Sequence, residues 1–215
     1  MYEVGAVEKV GQSLKGKEFA SVYEFLDSLR KVARRYYIPV MRKKTTELLK
    51  SLIIKNKPKE MLEIGTSLGV SGMTALASSA GRLTTIDIDE EVTNQAKDFF
   101  ARHNLLSRCE FILGDAVSVV SMMDNNRYDF IILDGPKGQY IELYKMLAPM
   151  LNKDGIMFVD DINYARFIDK KGLDKRKHRT IINNMKEFLD TINNDINIKA
   201  TVYDIEDGVL VAEKI

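Results

Sequence analysis

Residues 60–71 read Glu60-Met61-Leu62-Glu63-Ile64-Gly65-Thr66-Ser67-Leu68-Gly69-Val70-Ser71. A short apolar run over 60–65 closes on a glycine, and residues 70–80 are small and helical in pattern. That order marks a buried strand turning directly into a helix. Gly65 and Gly69 let the backbone turn tightly and approach a ligand closely. The helix start offers unpaired N–H groups to a carboxylate or phosphate, and the Ser71 hydroxyl can bond a carboxylate. The spacing is not Gly-x-Gly-x-x-Gly, and there is no P-loop lysine, which argues against NAD and ATP. The competing reading is a glycine turn that holds nothing.

Outward from this stretch the chain alternates. Strands are expected at 82–88, 109–114, 128–134 and 155–161, with helices at 90–103 and 138–150 between them. Strands alternating with helices imply a parallel sheet with right-handed crossovers. After a helix over about 180–192, the runs INIKATVY and VLVAEKI flank Ile205-Glu206-Asp207-Gly208. They read as an antiparallel hairpin about an Asp-Gly turn. Upstream, residues 18–30 and 39–54 space their apolar residues as amphipathic helices. The fold class expected is α/β: a seven-stranded, mostly parallel sheet with an antiparallel C-terminal hairpin and N-terminal helices. Residues 1–57 would form a helical cap and 58–215 the core of one domain.

Acids fall at strand ends, where α/β sheets place their ligand sites. Asp87 ends the second strand and can accept both hydroxyls of a ribose; Asp89 competes, but its loop position suits a helix cap. Gly114-Asp115-Ala116 end the third strand, placed to line an adenine ring, with Asp115 alternatively an N-cap. Asp134 ends the fourth strand, and Asp160 and Asp161 the fifth. Neighbouring parallel strands would bring these three carboxylates together, and their repulsion would be relieved by a hard divalent cation, by default Mg²⁺. Neither His nor Cys lies nearby in sequence, so zinc is not expected. Lys137, three residues past Asp134, can reach a substrate atom at that cation. A lysine of ordinary pKa, about 10.4, is a poor base; an adjacent cation and partial burial would lower it.

The chain has 215 residues, 45% apolar and 29% charged, enough for one large α/β domain. A single cysteine, Cys109, excludes an internal disulfide and fits a cytoplasmic protein. The 18-residue uncharged run from Ile64 to Gly81 holds ten Gly, Ser or Thr and is a poor membrane span. The net charge of +1 hides two basic blocks: residues 1–60 carry 14 Lys/Arg against 7 Asp/Glu, and residues 166–179 carry 7 against 2. These are solvated helix faces or a positive rim suited to a polyanionic substrate.

Taken together, EIGTSLGVS, TIDID, GDA, Asp-x-x-Lys-x-x-Tyr and Asp160-Asp161 resemble the metal-dependent class I O-methyltransferases, a group that includes the catechol and caffeoyl-CoA enzymes. The resemblance runs from about residue 36 to the C-terminus. It implies a Rossmann-like methyltransferase fold, S-adenosylmethionine, a divalent cation on Asp134, Asp160 and Asp161, and Lys137 as general base. It implies cofactor contacts from Met41, Glu63, Gly65, Ser71, Asp87, Asp115, Ala116 and Asp134. One departure is Asp161, where the family usually has Asn. Within the group, IPVM, KGQY and HRTIINNMKEFLDTI look like the bacterial tRNA 5-hydroxyuridine methyltransferases. That likeness implies tRNA as partner and wobble 5-methoxyuridine as product, with a small catechol-like or caffeoyl-CoA-like phenol as the alternative acceptor. A homodimer is implied, and neither DNA nor a membrane. A non-catalytic RNA-binding module would need neither Lys137 nor three acids, and a dehydrogenase is disfavoured by the glycine spacing and the terminal hairpin.

Overall fold

A computed structural model describes residues 2–123, 128–163, 171–174 and 176–215. Three helices come first: α1 (Ala6–Leu14), α2 (Val22–Arg35) and α3 (Lys43–Asn56). Then strands and helices alternate: β1 (Glu60–Ile64), α4 (Val70–Ser78), β2 (Arg82–Asp87), α5 (Glu90–Arg102), β3 (Cys109–Leu113), α6 (Ala116–Ser121), β4 (Tyr128–Leu133), α7 (Tyr140–Met150) and β5 (Leu151–Val159). The chain closes with α8 (Arg179–Asn193), β6 (Ile198–Tyr203) and β7 (Val209–Lys214).

The seven strands lie in the order β3-β2-β1-β4-β5-β7-β6. Strands β1 to β5 run parallel, and β7 runs antiparallel to both β5 and β6. Side chains alternate between faces along a strand, so each face has its own core. Phe130 and Ile132 of β4 pack with α1 to α5, while Ile131 and Leu133 pack with α6 to α8. The second core includes Phe188 of α8, edge-on to Tyr140 and Tyr144 at 5.6 and 5.9 Å between ring centres. A strand buried on both faces has no reason to alternate polar with apolar residues, which is why Phe130 to Leu133 is a continuous apolar run.

Several boundaries differ from expectation. Helix α1 was not read from the sequence as an element of its own. The helix expected at 18–30 runs Val22–Arg35, because the Ser21 hydroxyl accepts from the Glu24 amide and caps it there. The helix expected at 39–54 begins only at Lys43. Proline disfavours helical backbone at the residue before it, and the Pro39 carbonyl instead accepts from Ser67 Oγ at 2.7 Å. Strand β5 begins at Leu151 and ends at Val159, so Asp160 and Asp161 follow it rather than belong to it.

Gly65 joins β1 to the next loop with φ +96, and a Cβ there would stand 2.3 Å from the Asp134 carbonyl oxygen. Gly65→Ala should destabilise the protein by more than about 1 kcal/mol, since both the dihedral and the contact forbid a side chain. Urea unfolding midpoints test this. Parent-like stability would mean that the two loops can part freely.

Candidate active site

The loops at the carboxyl ends of β1 to β5 enclose a cleft of about 730 Å³. Met41, Gly65, Ser71, Asp87, Asp115, Ala116, Asp134, Lys137, Asp160 and Asp161 all line it. Glu63 does not: it is fully buried behind the wall, where the Thr85 hydroxyl donates to its Oε2 at 2.6 Å.

The glycine turn and Asp87 form one unit. The Ser67 amide donates to Asp87 Oδ2 at 2.8 Å, and the Asp89 amide donates to Oδ1 at 3.0 Å. Both carboxylate oxygens are thereby aimed, with lone pairs left over. Asp89 is drawn away from the cleft. It caps α5 by accepting from the Glu91 and Val92 amides, and it accepts from the Tyr2 hydroxyl. Asp115 caps α6 through the Ser118 amide and also accepts from Gln139 Nε2 at 3.2 Å. These bonds, the Ser118 amide foremost, hold its carboxyl below the usual range.

Across the cleft lies a cluster of charge. Asp160 is buried and Asp134 half-buried. Desolvation lifts the Asp134 carboxyl to about 7, against Lys137 and with Asp161, Glu63 and Asp87, and desolvation with the charges of Asp134 and Asp161 lifts Asp160 well above the usual carboxylate range. The Asp160 Oδ1 accepts from the Asp161 amide at 2.7 Å. Lys137, in a short 3-10 turn over Lys137–Gln139, sets its Nζ 3.0 Å from Asp161 Oδ2. Asp161 has φ +56, a left-handed conformation that Asn and Asp tolerate better than most side chains. Among the described residues no three acids, His or Cys form a group that could hold a metal ion. In this arrangement Asp161, expected as a cation ligand, instead engages Lys137, whose ammonium supplies the positive charge. With only the protein's own charges around it, Lys137 is held protonated. Burial does pull it down, but Asp161, Asp134 and Asp160 outweigh that and lift it above its ordinary value.

The mouth of the cleft is tied by contacts that sequence reading missed. Arg42 forms an ion pair with Asp207, and both line the cleft. Glu206 accepts from the Thr45 amide and hydroxyl at 2.9 and 3.0 Å. The amides of Ile162 and Asn163, just past the acids, donate to the carbonyls of Gly208 and Asp207. No sequence pattern signals such pairs, because the partners lie far apart in the chain. Of the second basic block, residues 166–170 and 175 lie outside the described residues. Arg176, Lys177 and Arg179 are described, the last opening α8. Helix α8 touches the Lys137 turn, where Asn184 Nδ2 donates to the Gly138 carbonyl at 3.2 Å.

An O-methyltransferase family model matches residues 17–215. The chain belongs to the O-methyltransferase family. It is 26% identical over 206 residues to tapetum-specific methyltransferase 1 of Arabidopsis thaliana, covering 90% of this chain and 87% of that one. It is 26% identical over 147 residues to the caffeoyl-CoA O-methyltransferase of Stellaria longipes, 64% of this chain and 61% of that one. Among solved structures it is similar in fold to an O-methyltransferase of Bacillus cereus in complex with S-adenosylhomocysteine. That match has a TM-score of 0.76 and 20% identity, and covers 98% of this chain and 97% of the other.

In this O-methyltransferase Glu63 supports the cleft from behind and titrates unusually. Burial pushes its pKa up to about 7, against the Ser71 and Thr85 hydroxyls, which pull it down. The folded protein therefore holds this proton at a pH where the unfolded chain has released it. The stability it contributes is complete below the ordinary value of 4.5 and is lost as pH rises through about 7. Glu63→Gln stays neutral and keeps an acceptor for Thr85. The parent should lose stability relative to this variant between pH 5 and 7, by up to roughly 1.4 kcal/mol per unit. Urea unfolding at several pH values measures the difference, and parallel profiles would refute a buried, proton-holding Glu63.

Proposed function

We propose that the enzyme transfers the methyl group of S-adenosylmethionine to the 5-hydroxyl of 5-hydroxyuridine at the tRNA wobble position, with a divalent cation at its acid cluster. One observation carries the proposal: a single cleft joins a paired glycine turn, an aimed ribose-type acid and a buried acid–lysine cluster. Asp87 would accept the ribose hydroxyls, and Asp115 with Ala116 would border the adenine. Ser71 and the N–H groups opening α4 would take the methionine carboxylate. Asp134 and the Met41 backbone would meet the rest of the methionine. The tRNA reading is supported by the motif likeness and by the basic segment 34–44, part of which lines the cleft.

The acid cluster suits a cation by its donor chemistry. Asp134 and Asp160 are hard oxygen donors, the second buried and the first half-buried, with one ammonium beside three carboxyls. Asp134 and Asp160, joined by Asp161 once it is released from Lys137, would hold the ion, which would polarise the acceptor hydroxyl. Beside a cation held there the Lys137 pKa would fall, so that the neutral amine, its own proton released to solvent, would orient that hydroxyl and receive its proton, while the cleft walls align acceptor and methyl donor. A second reading, methylation of a catechol-like or caffeoyl-CoA-like phenol, is favoured by the similarity to the Stellaria enzyme. In either case the vicinal oxygens of the acceptor suit the same cluster.

Nucleoside mass spectrometry of tRNA from cells lacking the gene decides the acceptor. 5-Methoxyuridine should disappear and 5-hydroxyuridine accumulate. An unchanged profile, with turnover of caffeoyl-CoA by the purified enzyme, would favour the second reading. The cation site is tested with Mn²⁺ as probe, by electron paramagnetic resonance of the free ion. Lys137→Met should bind Mn²⁺ more tightly than the parent, because no ammonium competes for Asp161. Asp160→Asn should bind it more weakly. Identical affinities in all three would exclude these residues as the site.

A further inference from the structure

Tyr37 breaks two rules at once. Helix α2 ends in a Schellman motif: the Ile38 amide donates to the Ala33 carbonyl at 3.0 Å, and the Tyr37 amide donates to the Arg34 carbonyl at 3.3 Å. Tyr37 occupies the left-handed position of that motif, with φ +57, where glycine is usual and asparagine tolerated. It is the only aromatic residue with positive φ among the described residues. Its ring gains nothing from packing, since the residue is 84% exposed. The next residue, Ile38, is 3% exposed and anchors the turn without it. A strained backbone and an aromatic ring left in water lower stability with no return inside the fold. An outlier of this kind points to a task outside the fold.

The surroundings say what that task is. Residues 34–44 hold Arg34, Arg35, Arg42, Lys43 and Lys44 and no acid. Lys43 is paired with Asp27 and Arg42 with Asp207, whereas Arg34, Arg35 and Lys44 are exposed with no acidic partner within ion-pair distance among the described residues. Two residues past Tyr37 the chain becomes the cleft wall, from Pro39 to Arg42. An exposed ring amid unpaired cations at the mouth of a cleft is the pattern that binds single-stranded nucleic acid: phosphates meet the cations, and a base stacks on the ring.

We propose that Tyr37 is a stacking platform for an unpaired base of an RNA loop, next to the nucleotide that enters the cleft, with Arg34, Arg35 and Lys44 holding the flanking phosphates. This rests on the RNA reading of the acceptor given above, and adds to it a residue and a mode of grip. The left-handed backbone is part of the device, because it lifts the ring off the helix end instead of folding it onto the protein.

The test is fluorescence anisotropy of a labelled tRNA anticodon stem–loop carrying 5-hydroxyuridine, over a series of KCl concentrations, with the full chain. Tyr37→Asn suits the backbone and removes the ring, so its melting temperature should equal or exceed the parent's. Its affinity should fall about 5- to 150-fold at every salt concentration, with an unchanged salt slope, because stacking releases no counterions. Tyr37→Trp should restore binding. Arg34→Gln with Arg35→Gln should instead flatten the slope by roughly 0.7 per lost phosphate contact. Parent-like binding by Tyr37→Asn, beside tight binding by the parent, would overturn the platform and leave the RNA reading intact. Failure of the parent itself to bind the stem–loop would overturn the RNA reading, and the platform with it.

Discussion

Two backbones meet where β1 and β4 end, and the β1 side has no room for a side chain at the point of contact. Gly65 lies so close to the Asp134 carbonyl that a Cβ would overlap it. The Asp134 amide in turn donates to the Ile64 carbonyl at 2.9 Å, and the Gly65 amide to the Ile86 carbonyl at 2.8 Å. Three adjacent strands are thus locked in register at the last residue before their loops diverge. The cofactor-type residues leave from β1 and β2, and the acid cluster from β4 and β5. Their relative placement is therefore fixed by main-chain bonds, which tolerate little drift.

The second constraint is electrostatic. Asp134 and Asp160 lie beside each other because their strands are neighbours, in register from Leu133 opposite Val159. Desolvated carboxyls this close repel, and a protein relieves that by protonation, by a counter-ion or by a cation of its own. Lys137 is the cation at hand, and it pairs with the Asp161 carboxylate. With Asn there, the lysine would have one charge fewer to hold it. The aspartate therefore sets how firmly the lysine is kept protonated and in place.

Much of this was legible in the sequence, for physical reasons. Short apolar runs between helical stretches are best buried as strands of a covered parallel sheet, and the acids at their ends then fall at the carboxyl edge. What could not be read is what depends on the third dimension. Residues 39–42 stay outside α3, with the Pro39 carbonyl bonded to Ser67 and Arg42 extended, although their apolar spacing mimics a helix. Glu63 looked like a ligand-facing acid within its motif. Its register opposite Thr85, inside the sheet, buries it instead. The pairing of Lys137 with Asp161 was equally invisible, since spacing along the chain gives distance but not which of three acids a lysine selects.

The turn between β6 and β7 has a consequence for how the enzyme is made. Glu206 and Thr45 are 161 residues apart, and Asp207 with Gly208 hold both the segment before α3 and the segment after Asp161. Sheet strands β1 to β5 can pair as they emerge, but the mouth of the cleft stays open until the last hairpin is in place. Contacts of such long sequence separation form late, because the closure entropy of the intervening chain must be met first. Competence to react thus arrives at the final step of folding, and a half-made chain on the ribosome carries every reactive residue yet no closed site.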